Sequence, residues 1–320
     1  MSYLDVEVPR PGSYARPVLP FGHAVRASRR VLGNLLSHPG ARGSRRVLSL
    51  ARFALWQLNK RTVRAAPTLP VYGDKARMRA YPDSQAASGL IYFGYPDWLE
   101  MRLLEKFLRT GDTFVDVGAN IGTYSVLAHT CVAPGGAIVA FEPDPRIVAR
   151  LRENFQLNGM DTAGIHASAA SNENTRVAFC AADSVGAVVQ SFHPSGDVQH
   201  VSGVKLDTAL RESIGNIAAM KIDIEGHELS ALLGAAEVLD GGVGLIMLET
   251  NQCASHDERR DLQAFLASKG YALFSIEDDE PTLCALSEPS SYPPNAVAIR
   301  DVAKFRERIP SANLKTTKGK

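Results

Sequence analysis

The segment that most restricts the fold is TFVDVGANIGTYS, Thr113 to Ser125, with IVAFEPDP following one structural unit later. An apolar run carries a carboxylate, Asp116, into a turn from Gly118 to Gly122, and a helical sequence opens behind it. A second apolar run, Ala137 to Phe141, ends against another carboxylate, Glu142. Short apolar runs bounded by turn residues read as buried strands, so the order is strand, turn, helix, strand and acid. The alternation continues with helices at 97–108, 122–132 and 145–157 and a third strand at 164–169. A later cycle places strands at Ala218 to Ile222 and Leu245 to Glu249, and helices at Glu228 to Leu239 and Asp257 to Lys269. Strands and helices in alternation predict an α/β protein with a parallel sheet covered on both faces.

The first turn limits what can bind there. A dinucleotide fingerprint, G-x-G-x-x-G, needs a second glycine so that the backbone can approach a pyrophosphate. Here Asn120 stands at that position and Thr123 at the last, so the fingerprint fails at two of three places. An ionised Asp116 at the strand end repels phosphate and attracts an ammonium or a sulfonium. S-adenosylmethionine carries both cations and no phosphate. Glu142 is placed to accept hydrogen bonds from two ribose hydroxyls, a role it would also have toward NAD. Gly118 and Gly122 could simply turn the chain, and Asn120 could simply cap a helix. The ordered set of elements favours a cofactor site made of Asp116, Gly118, Asn120, Gly122 and Glu142.

A second cluster lies in AAMKIDIEGHELSALL, where a strand runs into Lys221, Asp223, Glu225, His227 and Glu228. Asp223 would arrive at the carboxyl end of a central strand, beside the reacting centre. A neutral alcohol is a weak nucleophile and gains from a general base, for which Asp223 and His227 are the candidates. Glu225 and Glu228 read more simply as acids complementing a helix start, and Glu249 either faces the cleft or caps a loop.

DVGANIGTYS, FEPDP, KIDIEGHELSALLGA and GLIMLET together resemble the FkbM-type S-adenosylmethionine-dependent methyltransferases, over about Tyr92 to Arg300. The resemblance implies a class I, Rossmann-like methyltransferase fold: a mostly parallel seven-stranded sheet whose antiparallel C-terminal edge comes from 272–276 and 296–299. It matches Asp116, Gly118, Asn120 and Glu142 to cofactor-binding positions. It also implies O-methylation of a hydroxyl on a small molecule, sugar or glycolipid. An RNA methyltransferase is the first alternative, disfavoured because no RNA-binding module and no N/D-P-P-Y motif is present. A non-catalytic protein that binds the cofactor or a partner is the second.

Charge is distributed unevenly. Residues 1–73 hold twelve Arg or Lys against Asp5 and Glu7, a net of +10, and 300–320 carry a net of +5. The chain total is only +1, so the remainder stands at −14. The expected organisation is a basic, partly helical extension and linker over 1–75, a methyltransferase domain over 76–300, and a basic tail over 301–320. Residues 1–25 read as loose, and two basic helices follow at about Ala24 to Ser37 and Ser44 to Asn59. In the second, Leu48, Ala51, Leu55 and Leu58 form an apolar stripe while Trp56 projects with the arginines. Packing of these helices on the acidic body is favoured over a peripheral contact with anionic membrane. The Arg-rich start would also fit a mitochondrial transit peptide in a eukaryote.

Cys131, Cys180, Cys253 and Cys284 are scattered, without metal-ligand spacing, so no metal is expected and free thiols suit a reducing compartment. The apolar runs predict neither a secretory signal nor a membrane span, and a cytoplasmic, at most membrane-peripheral, location is expected. Residues 171–210 give no clean helix, and short β patterns there suggest extra strands or a loop over the acceptor pocket.

Overall fold

The computed structural model describes residues 33, 38–39, 45–182, 185–188, 198–250, 256–277, 281–286 and 292–315. Helix α1 (Arg45–Arg61) is followed by a hairpin of β1 (Thr68–Val71) and β2 (Ala76–Arg79), then α2 (Gln85–Phe93) and α3 (Trp98–Phe107). The body continues through β3 (Thr113–Val117), α4 (Thr123–Val132), β4 (Ala137–Phe141), α5 (Pro145–Leu157) and β5 (Ile165–His166). Short strands β6 (Ala169–Ala170), β7 (Arg176–Ala182), β8 (Val185–Val188) and β9 (Val198–Val204) come next, with a helical turn α6 (Leu206–Ala209). Then follow β10 (Ile217–Ile222), α7 (Glu228–Leu233), α8 (Ala236–Gly241), β11 (Leu245–Glu249) and α9 (His256–Ser268). The described chain ends with β12 (Ala272–Ile276), β13 (Thr282–Ala285), β14 (Asn295–Ile299), α10 (Val302–Arg308) and β15 (Asn313–Lys315).

The main sheet has the order β15-β13-β12-β14-β11-β10-β3-β4-β5. From β5 to β11 all neighbours are parallel, and β14 then inserts antiparallel between β11 and β12. Strand order reverses between β3 and β10, and in an open α/β sheet a crevice forms there beyond the carboxyl ends. Alternate residues serve opposite faces: Phe114 packs into one apolar layer with Leu104, Leu127 and Phe155, while Val115 and Val117 pack into the other with Ile222, Leu232 and Leu266. Burial on both sides explains why these strands read as continuous apolar runs.

Several expectations need correction. The main sheet has nine strands rather than seven, because β13 and β15 extend it past β12. The edge is therefore β15, and 272–276 and 296–299 are interior strands. The third strand contributes only Ile165–His166. A turn from Ser168 N–H to the His166 carbonyl (2.9 Å) leads the chain out to β6, which joins a second sheet of order β6-β9-β7-β8. The single helix expected at 228–239 is two, broken at Gly234, where a side chain would run into the carbonyl of Ser171.

The domain limits also shift. A boundary at 75 cuts the β1–β2 hairpin, whose strands pair from Thr68↔Arg79 to Val71↔Ala76. The segment from 301 is not a free tail as far as Lys315. Phe305 on α10 stacks on Phe107 at 5.6 Å, Arg308 holds Asp112 at 3.0 Å, and β15 pairs with β13. The expected helix at 24–37 lies outside the described residues except at Gly33, as do residues 1–25.

Helix α1 docks through the face that carries Trp56 rather than through its apolar stripe. Trp56 is 4% exposed and donates from Nε1 to Ser88 Oγ on α2 (3.1 Å), and Lys60 Nζ reaches the same oxygen at 2.7 Å. Gln57 donates to the Tyr92 hydroxyl (2.8 Å). Polar groups with specific partners thus decide which face docks, and Leu48, Leu55 and Leu58 face outward. Among the described residues no helix is long and apolar enough to cross a membrane.

Candidate active site

At the carboxyl ends of β3, β4 and β10 a cavity of about 350 Å³ is lined by Asp116, Gly118, Asn120, Glu142, Phe179 and Asp223 among others. Asp116 is 1% exposed. Its Oδ2 accepts from Ser125 Oγ (2.6 Å), while Oδ1 has no hydrogen-bond partner. Buried acceptors are nearly always satisfied, so this oxygen is a place for a ligand donor. Burial raises the Asp116 pKa, against the pull of Lys221 and Ser125.

The turn after β3 is shaped to bring two strand ends together. Gly118 has φ +83°, and a Cβ there would run into the carbonyl oxygen of Asp223. Asn120 is left-handed (φ +50°), which aims its N–H at Glu142 Oε2 (2.9 Å), while its own Oδ1 accepts from the Ile121 N–H (2.8 Å). Glu142 Oε1 accepts from the Asp144 N–H (2.9 Å), so two backbone donors orient this carboxylate. Burial nevertheless pushes its pKa up to about 7, with the two N–H groups opposing the rise. Gly122 starts α4 and packs against Leu151 without lining the cavity. Asn154 Nδ2 on α5 holds the Ile121 carbonyl (2.7 Å), and the Tyr72 hydroxyl beside the hairpin holds that of Thr123 (2.8 Å).

A second cavity of about 170 Å³ adjoins the first and shares Asp97, Tyr124, Lys221 and Asp223 with it, adding Glu100 and Glu249. Lys221 Nζ donates to Asp223 Oδ2 (2.6 Å) and lies 4.6 Å from the Tyr124 ring centroid. Burial works to raise the Asp223 pKa, but the Lys221 ammonium and a hydrogen bond from Glu249 hold it below the ordinary range. Glu249 moves the other way, up to about 9, through burial and the neighbouring Asp223 charge. The pair is thus biased in opposite senses, Asp223 toward the ionised form and Glu249 toward the protonated one. Carboxylate oxygens of Asp223, Glu225 and Glu249 lie within 4.8 Å of one another, a donor set of the hard oxygen type that also suits a divalent cation.

The other candidates separate here. His227 occupies the residue before α7, lines neither cavity, and has its pKa lowered by burial. Glu228 is buried and accepts from the N–H groups of Ile224 and Gly226 (both 3.1 Å), so it organises the loop. Glu225 is left-handed (φ +56°) and lines the larger cavity. Sequence reasoning missed Asp97, which precedes α3 without capping it and instead accepts from the Tyr124 hydroxyl (3.0 Å). Phe179, within the 171–210 stretch expected to give extra strands or a loop over the pocket, and the 168–170 segment bring the second sheet to the cavity wall. No local signal separates an Asp that caps a helix from one that faces a cleft.

The strand order and the paired acidic strand ends define a Rossmann-like α/β domain. Residues 116–273 match the model of the methyltransferase FkbM domain. The chain is 28% identical to 31-O-demethyl-FK506 methyltransferase FkbM of Streptomyces tacrolimicus, over 41% of this chain and 62% of that protein. It is 30% identical to hexuronic acid methyltransferase AglP of Haloferax volcanii, over 47% of this chain and 60% of that protein. The matches thus span about three fifths of the length of these relatives. Among solved structures, a methyltransferase FkbM from Methylobacillus flagellatus KT is similar with a TM-score of 0.42 and 16% identity, over 80% of this chain and 60% of that one.

Proposed function

We propose that the protein is an S-adenosylmethionine-dependent methyltransferase acting on a hydroxyl of a small molecule, sugar or glycolipid. The observation that carries this reading is the buried Asp116 carboxylate, with Oδ1 unsatisfied, lining the same cavity as the backbone-oriented Glu142. The donor set fits the cofactor: Asp116 would take the ammonium group and Glu142 the ribose hydroxyls, with Gly118 and Asn120 shaping the turn between them. A cavity of this size lies within the range of small-molecule sites. When bound, the cofactor supplies an electrophilic methyl group on a sulfonium.

The residues of the chain do the rest. The smaller cavity is the proposed acceptor site, and Asp223, which lines both cavities, stands at the junction. Its carboxylate, kept ionised by Lys221, accepts the proton of the acceptor hydroxyl as the oxygen becomes a nucleophile. Glu249, whose burial beside Asp223 favours its protonated form, is assigned to orienting the Asp223 carboxylate. Positioning supplies much of the rate in such a transfer, so Asp97 and Tyr124, which also line the acceptor side, are assigned to holding the substrate. His227 lines neither cavity and is given no part in the transfer.

The test is single-turnover transfer from labelled S-adenosylmethionine to a panel of sugar, glycolipid and small-molecule alcohols. Asp223→Asn should leave cofactor affinity within about twofold and slow transfer by about 10²-fold or more, the usual contribution of a general base. Unchanged transfer by Asp223→Asn to an acceptor the native protein methylates would remove Asp223 from this role.

A further inference from the structure

The outward face of α1 has no role in the site described above. Val47, Leu48, Leu55 and Leu58 are 72%, 50%, 68% and 58% exposed, and Val63 just beyond the helix is 78% exposed. These are five of the eight large apolar side chains exposed among the described residues. With Ala51 and Ala54, also exposed, they make one continuous band at helical spacing. Arg52 borders the band on one side and Arg61 on the other, with Arg46 and Arg64 also exposed. The opposite face of the same helix is fixed to the body through Trp56, Gln57 and Lys60, so the band is presented on a docked element.

We propose that this face of α1 is a docking surface for a lipid bilayer bearing anionic headgroups. The warrant is complementarity: apolar side chains flanked by arginines match the boundary between acyl chains and negatively charged headgroups. No acid occurs from Val8 to Gly73, so the helix itself carries no negative side chain. Residues 1–44 are a poor cover, because six Arg against Asp5 and Glu7 leave that segment basic as well. A second copy of the chain is disfavoured by size, since five side chains fall well short of the roughly 20–30 residues a side in a stable interface.

The experiment is co-sedimentation of the full chain with vesicles of phosphatidylcholine alone and with equal parts of phosphatidylglycerol. The variants are Leu55→Glu/Leu58→Glu, Arg52→Glu/Arg61→Glu, and Leu157→Glu as a control at an exposed Leu elsewhere. Each is accompanied by a melting curve and by the molar mass in solution. Binding to the anionic vesicles should fall at least about tenfold in either double variant and on raising salt, with the control and all melting temperatures unchanged. Equal binding to both vesicle types, or no binding to either, would overturn the proposal. So would a fall in melting temperature in Leu55→Glu/Leu58→Glu, which would mean that the chain itself covers the band. A dimer that dissociates in that variant would assign the face to a second copy instead.

Discussion

Replacing Glu142 by Gln separates what this carboxylate does for stability from what it does for binding. Burial lifts its pKa to about 7 from the ordinary glutamate value of 4.5. A carboxyl whose folded pKa is raised stays protonated in the folded state while the unfolded chain ionises. Stability is therefore lost as pH rises from about 4.5 to about 7, and at 1.36 kcal/mol per unit the loss is about 3 kcal/mol by pH 8. Glutamine is neutral and removes that penalty. Its single acceptor oxygen can serve only one of the N–H groups of Asn120 and Asp144, which costs about 1 kcal/mol at every pH. Urea denaturation without ligand should then show Glu142→Gln about 1 kcal/mol less stable near pH 4.5 and about 2 kcal/mol more stable at pH 8. Cofactor binding should be lost in the variant at both, since Gln presents one acceptor where two hydroxyls need a carboxylate. A stability difference that does not change with pH would refute the reasoning, whatever its sign.

Three further outcomes follow from the packing. Gly118→Ala should cost about 3 kcal/mol or more in chemical denaturation, because the residue combines a left-handed φ of +83° with a carbonyl in the way of any Cβ. Trp56→Ala should release α1 from α2, cost about 3 kcal/mol, and speed tryptic cleavage of the loosened backbone at Arg61 and Arg64 in limited proteolysis. Arg308→Ala should loosen the C-terminal helix, lowering the melting temperature by a few degrees, as fits loss of a partly buried pair with Asp112.

What was legible in the sequence, and what was not, has a physical pattern. Strands β3, β4, β10 and β11 were visible because burial on both faces leaves an unbroken apolar run, and Asp116, Glu142 and Asp223 were visible as the charges at or beside their ends. The β1–β2 hairpin was hidden: TLPV contains a proline and ARMR two arginines, both tolerated because each strand has only one neighbour. Strand β13 at TLCA and strand β15 at NLK are too short to show a period. The docking face of α1 was not legible, because an apolar stripe counts only hydrophobic residues, whereas Ser88 and Tyr92 on α2 select the face carrying Trp56, Gln57 and Lys60. Glu249, at the end of β11, was legible only as facing the cleft or capping a loop, and Asp97 reaches the site through tertiary placement that no local spacing encodes.

The most direct measurement is a calorimetric titration of the native protein and of Asp116→Ala with S-adenosylmethionine, S-adenosylhomocysteine and NADH. Saturable one-to-one binding of both sulfur nucleosides by the native protein, no heat with NADH, and loss of binding in a folded Asp116→Ala are predicted. Binding of NADH, or sulfur-nucleoside binding that survives in Asp116→Ala, would contradict the assignment of this cavity.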